Sequence, residues 1–278
     1  MQVLNLGLET WDLGLLCVAA GANFYSKIRS MWLTRQLDAL YDATLALVYP
    51  LKCAACGAAC VEGRRDAPAC AACWQATTIF TGEETCCWKC GAEARGDVPP
   101  EKRVDVRCRR CDELAFTAAR SLGKYEGALR AVVLTLKHEP HVPARVGRLL
   151  RAAQGRPPLD AATRIVPVPL HAERERERGF NQATLLARAL ASRANLPLDE
   201  WSVVRTGHTS RHRAGMDRRA RRETVERAFR VERPRLVAGE RILLVDDVLT
   251  TGATVSACAQ VLKEAGAEEV FVLTVARA

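Results

Sequence analysis

Four Cys-x-x-Cys pairs, Cys53/Cys56, Cys70/Cys73, Cys87/Cys90 and Cys108/Cys111, crowd one stretch of this 278-residue chain and limit its folding more than any other feature. Two thiolates with two residues between them share one tetrahedral ion on a tight knuckle, and a second knuckle a short loop later completes a four-sulfur site. Gly57 and Gly91 follow two of the pairs, where a knuckle turn takes up positive φ. The stretch has few large apolar side chains, so it folds around metal rather than around a core of its own. Pairing of successive knuckles is the simplest arrangement; an interleaved one is open, as is exchange of Cys86 for Cys87. A disulfide framework is disfavoured because the chain shows no export signal, and paired cysteines in a reducing compartment are more often metal ligands. All eight are therefore expected to hold zinc, in one or two structural sites closed to substrate. Cys17 and Cys258 read as ordinary buried thiols.

The rest of the chain divides by composition. Hydrophobic content of 49% with 26% charged residues belongs to a globular rather than a disordered chain. Residues 1–34 read as an N-terminal extension, a docked helix or a frayed one, with Met31 as an alternative start. Its apolar run from Leu13 to Ala22 is too short to cross a bilayer and follows acids, Glu9 and Asp12, where an export signal carries bases. Neither a membrane span nor export is expected, which places the chain in the cytoplasm. Residues 35–50 set Leu37, Leu40, Tyr41, Leu45 and Val48 on one helical face, and residues 51–113 form the double ribbon. From 114 to 278 apolar strands such as "RIVPVPL" and "EVFVLTVARA" alternate with amphipathic helices such as "NQATLLARALASRA". That alternation predicts an α/β fold with a mostly parallel sheet covered on both faces.

Charge is unevenly spread. Of the net +9, much comes from residues 205–235, which hold eleven arginines against four acids. Arg211, Arg213, Arg218, Arg219, Arg221 and Arg222 suit phosphates or single-stranded nucleic acid; a solvated basic loop has the same composition.

The stretch "RILLVDDVLTTGAT", residues 241–254, carries the chemistry. Ile242 to Val245 read as a buried strand with Asp246 and Asp247 emerging at its end, and Thr250 to Thr254 turn into a helix. Adjacent carboxylates accept hydrogen bonds from vicinal hydroxyls, and a helix amino terminus grips phosphate. Ligands of open parallel sheets collect at such strand ends. The stretch resembles the phosphoribosyl pyrophosphate (PRPP) signature of type I phosphoribosyltransferases. The resemblance implies that Asp246 and Asp247 hold the ribose 2′- and 3′-hydroxyls, that Thr250, Thr251, Gly252, Ala253 and Thr254 wrap the 5′-phosphate, and that Mg²⁺ accompanies PRPP.

A second block, "VPVPLHAERERERGFNQATLLARALA" at residues 166–191, resembles the signature of the ComF/ComFC (GntX-like) competence family, and the likeness runs over residues 37–278. It implies that a loop after the "VPVP" strand turns Arg174 and Arg178 toward pyrophosphate, and that Lys137 also faces phosphate. The chain departs from the family pattern between 205 and 230, where Met216 stands for leucine and Thr224 for asparagine. The implied function is a PRPP-binding protein of natural competence, handling incoming single-stranded DNA beside a helicase-like partner. Two other readings stay open: a phosphoribosyltransferase enzyme with an unidentified nitrogenous acceptor, and a PRPP-sensing regulator without turnover.

Overall fold

The computed structural model describes residues 51–60, 67–94, 96, 98–206 and 228–278. The extension 1–34, the helix 35–50 and the arginines at 211, 213, 218, 219, 221 and 222 lie outside the described residues. The chain divides into two compact units, residues 1–51 with 61–64 and residues 52–60 with 65–278; every element below belongs to the second.

Four strands form the central sheet: β1 (Ala118–Ser121), β2 (Arg164–Pro167), β5 (Arg241–Leu249) and β6 (Glu269–Arg277). Their order is β1-β6-β5-β2 and every pairing is parallel. Such a sheet is buried on both faces, which is why β5 and β6 read as nearly continuous apolar runs. Leu243, Val245, Phe271 and Leu273 enter one core with helices α2 (Gly127–Thr135), α3 (Ala144–Gln154) and α5 (Gln182–Ala194). Ile242, Leu244, Val270 and Val272 enter the other, under α6 (Ala253–Glu264). On α6 the buried Val255, Cys258, Ala259 and Leu262 recur at helical spacing, so one stripe covers the sheet.

The cysteine region is divided between these cores. Cys53 and Trp74, the latter on α1 (Ala71–Ala76), join the first. Cys87, Cys90 and Cys111 join the second. The two knuckle pairs thus cap opposite faces of one sheet and are part of its cores.

Three local structures differ from the sequence expectation. The "WSVVRT" and "AFRV" segments do form strands, β3 (Val203–Arg205) and β4 (Phe229–Val231), but they pair with each other, antiparallel, outside the central sheet. The stretch after β2, expected as a loop, is a helix, α4 (Ala172–Arg178). Glu173 and Glu175 sit in its first turn and Arg176 and Arg178 in its last, placements that suit the helix dipole, while Arg174 and Glu177 oppose it. His171 Nδ1 accepts the Glu173 N–H, and Gly179 at φ 82° ends the helix. Lastly, β5 does not stop at the aspartates: Asp246 stands beside Thr274, Val248 beside Ala276 and Leu249 beside Arg277.

Candidate functional site

At the carboxyl edge of the sheet, β5 passes Asp246 and Asp247, then bends at Thr250 and Thr251 into α6. Asp246 lies on the strand face of Ile242 and Leu244, by period-two alternation. Its Oδ1 accepts the Asp247 N–H at 2.8 Å, which fixes one carboxylate against its own backbone. Burial, then the adjacent Asp247 charge, push the Asp246 carboxyl up to about 8, against the pull of that N–H and of Arg205. Arg205 ends β3, its guanidinium 5.3 Å from the Phe229 ring centre.

Gly252 caps α6 with φ 81°, a conformation that side chains other than glycine adopt at a cost. A Cβ there would lie 3.2 Å from Leu114 Cδ1 and 3.5 Å from Phe116 Cε1, so the loop is seated on the segment that leaves the second ribbon. Thr251 Oγ1 accepts the Ala253 N–H at 3.4 Å. The remaining amides of the first turn of α6 lack intrahelical acceptors and form a donor cluster. Thr250 and Thr251 are exposed, and Ala253 and Thr254 half-buried. Two carboxylates able to accept from a diol thus stand a few residues from amides and hydroxyls able to donate to an anion.

Of the other residues named from sequence, Arg174 and Arg178 lie on α4, which leaves the carboxyl end of β2. Val168, just past that strand, donates its N–H to Val245 O at 2.9 Å, so α4 departs from the same sheet edge that carries Asp246. Arg178 is half-buried and Arg174 exposed. The "RGFN" core has a mechanical explanation. Asn181 Nδ2 donates to Val168 O at 3.0 Å, while its Oδ1 accepts the Ala183 N–H and caps α5. Lys137 stands beyond the end of α2, half-buried, and its ammonium has no hydrogen bond or ion pair among the described residues.

The cysteines gather as two sets, Cys53/Cys56/Cys70/Cys73 and Cys87/Cys90/Cys108/Cys111, each with all sulfurs within 4.8 Å of one another. This is the sequential pairing, and Cys86 stands outside both sets. Sulfurs are 3.8 and 3.9 Å apart in the first (Cys53 to Cys73, Cys56 to Cys70) and 3.5 Å in the second (Cys87 to Cys111, Cys90 to Cys108). A tetrahedron with zinc–sulfur bonds of about 2.3 Å has an edge of about 3.8 Å. The Cys70 N–H points at Cys53 Sγ and the Cys108 N–H at Cys87 Sγ, each at 3.3 Å. Burial opposes ionisation of Cys53 and Cys87, yet backbone N–H groups bring both thiols down to about 6. Thiol contacts from Cys56 and Cys70 push Cys73 up, and burial pushes Cys111 up. Ionising all four sulfurs of a set at this spacing would need a dication, so the donor set fits structural zinc and would leave no open coordination position.

Sequence reasoning missed how tightly this second cluster is tied to the loop. Leu114 N–H reaches Cys111 O at 3.1 Å, and the next residue, Ala115, donates its N–H to Ser256 Oγ on α6 at 2.9 Å. Arg277, beside Leu249 in the sheet, donates to Cys90 O. These contacts join residues far apart in the chain, and no local pattern announces them.

Comparison with known proteins agrees with this layout. The profile of the phosphoribosyl transferase domain matches residues 179–278. DNA utilization protein YhgH of Escherichia coli (strain K12) is 32% identical over 216 residues, 75% of this chain and 89% of that protein. Competence protein ComFC of Bacillus subtilis (strain 168) is 27% identical over 210 residues, 69% of this chain and 84% of its own. Competence protein F of Haemophilus influenzae is 37% identical over 115 residues, 41% and 50%. With its two four-cysteine clusters ahead of a phosphoribosyltransferase domain on a parallel sheet, the chain belongs to the ComF/ComFC family.

Proposed function

We propose that the chain binds Mg²⁺–PRPP at the carboxyl edge of its sheet and transfers the phosphoribosyl group. The observation that carries this reading is one continuous piece of backbone: paired carboxylates on β5, then a hydroxyl-rich bend, then a helix amino terminus opened by Gly252. Asp246 and Asp247 accept the ribose 2′- and 3′-hydroxyls. Residues Thr250 to Thr254 hold the 5′-phosphate with amides and hydroxyls. Arg174 and Arg178 face the pyrophosphate, where a planar guanidinium forks two oxygens. The C1′–oxygen bond to pyrophosphate breaks as a nitrogenous acceptor bonds to C1′, and the acceptor's displaced proton goes to solvent. Positioning and charge neutralisation supply the catalysis.

The two cysteine clusters hold zinc as structural sites, which suits a reducing compartment such as the cytoplasm. The names of the relatives, DNA utilization and competence, support a setting in which the protein handles single-stranded DNA. Release of pyrophosphate from PRPP, screened against bases, amines and DNA ends, tests turnover. Acceptor-dependent release supports transfer; binding without release under every acceptor would leave a PRPP sensor.

A further inference from the structure

The loop between β5 and α6 is held at both ends by the second cysteine cluster, and by a different knuckle at each end. On the entering side, Leu249, the last residue of β5, stands beside Arg277 of β6. The Arg277 guanidinium donates to Cys90 O, and its Nη2 lies 3.8 Å from Cys90 Sγ. On the leaving side, Gly252 is seated on Leu114, and Ala115 donates its N–H to Ser256 Oγ at 2.9 Å. Leu114 in turn donates its N–H to Cys111 O at 3.1 Å. Residues 250–254 therefore span from the Cys87/Cys90 knuckle to the Cys108/Cys111 knuckle.

Each knuckle is seated separately. The first lies on β1: Ala119 donates its N–H to Lys89 O at 2.7 Å, and a Cβ at Gly91 would lie 2.7 Å from Ala119 O. Arg277 adds the end of β6, with its own N–H on Gly123 O at 2.9 Å and its carbonyl accepting the Tyr125 N–H at 2.7 Å. The second knuckle leads through Leu114 and Phe116 onto the loop at Gly252.

Between the knuckles stand the four sulfurs, with Cys87 3.5 Å from Cys111 and Cys90 3.5 Å from Cys108. A dication bonded to all four makes that junction rigid, whereas metal-free thiols hold it only by weak contacts. Amides that grip a phosphate have to converge on it at about 2.9 Å, which leaves little slack in the span of the loop.

We propose that metal in the second cluster sets the span of the phosphate loop, with Arg277 as the positioning residue, so that metal and PRPP each strengthen the other's hold. The proposal rests on the PRPP reading of Asp246 to Thr254 and adds a regulation to it: a chain stripped of this one ion keeps the motif and loses its grip on PRPP. Coupling between two sites is reciprocal, so bound PRPP slows loss of the ion. The first cluster, in the core on the other face of the sheet, is an internal control.

The test is zinc release from the full chain to the dye pyridylazoresorcinol, with and without Mg²⁺–PRPP. Two ions should leave in separate phases, and PRPP should slow one of them about fivefold. Arg277→Gln should hasten that same phase about tenfold, weaken PRPP binding and abolish the slowing. Arg120 also faces the sulfurs of Cys86, Cys87 and Cys90, but its strand neighbour is Leu273 rather than a residue of β5. Arg120→Gln should therefore hasten release and keep the slowing by PRPP. Thermal midpoints report that the variants fold. PRPP that binds by calorimetry without slowing either phase would overturn the coupling and leave the PRPP site standing. No PRPP heat in wild type would remove both. Slowing that persists in Asp246→Asn/Asp247→Asn, or in Arg277→Gln, would put its cause elsewhere and overturn the role of Arg277.

Discussion

Gly252 and Leu114 meet where the second cysteine ribbon ends and α6 begins, with the glycine's missing Cβ 3.2 Å from Leu114 Cδ1. Two restrictions act on that glycine, its φ of 81° and its close neighbour. Gly252→Ala should therefore cost about 1–2 kcal/mol of stability, measured by urea unfolding. Adding Leu114→Ala relieves the contact but not the backbone strain, so the double variant should not recover the wild-type position of the loop. PRPP affinity should fall in both.

Asp246 gives the site a pH signature. Its carboxyl is raised from the model-peptide value of 3.8 to about 8, chiefly by burial and then by Asp247. A raised acid binds its proton more tightly folded than unfolded. Its contribution to stability is thus fully present below about pH 4 and lost as pH rises toward 8. Asp246→Asn lacks that loss. Urea midpoints should show the variant gaining stability on wild type steadily as pH rises from 4.5 to 8.5.

The same proton has a binding consequence. A carboxylate that accepts ribose hydroxyls is needed ionised, so PRPP binding at pH 7 should expel the Asp246 proton. Calorimetry in buffers of different ionisation enthalpy should count roughly one proton released. Asp246→Asn should abolish that buffer dependence.

Metal removal should report the two clusters separately. Cys111 is 1% exposed and sits in the core under α6, whereas Cys56 is exposed. Wild-type protein should carry about two zinc ions. Cys111→Ser should lower both Tm and PRPP affinity, through Ala115–Ser256 and Arg277–Cys90. Cys56→Ser should lose one ion with little effect on PRPP binding.

The motif residues were legible in the sequence because they are local. Four apolar residues before Asp246, the glycine after Thr251 and the spacing of the knuckles are each set within a few positions. The knuckle pairing was legible as the simplest of two options, and distances of 3.5 to 3.9 Å between sulfurs decide for it. Helix α4 was not legible, since Ala172 to Glu177 are all exposed and carry no apolar period. The extra length of β5 was hidden because Val248 and Leu249 owe their strand geometry to Ala276 and Arg277 on a neighbouring strand. Nor could Arg205 be placed beside Asp246 from sequence. That proximity depends on β3 pairing with β4 and on β4 packing against α6, both long-range events.

Asn181 provides a check on the frame that holds the site. It ties Val168 O to the first turn of α5 and is buried. Asn181→Ala should cost about 1–2 kcal/mol in urea unfolding and loosen the α4 segment that bears Arg174 and Arg178.

Calorimetric titration of Mg²⁺–PRPP into wild type and into Asp246→Asn/Asp247→Asn tests the PRPP site most directly. A saturable heat in wild type, and none in the double variant at equal metal content and fold, is the expected result. Equal heats in both proteins, or no heat in wild type, would contradict it.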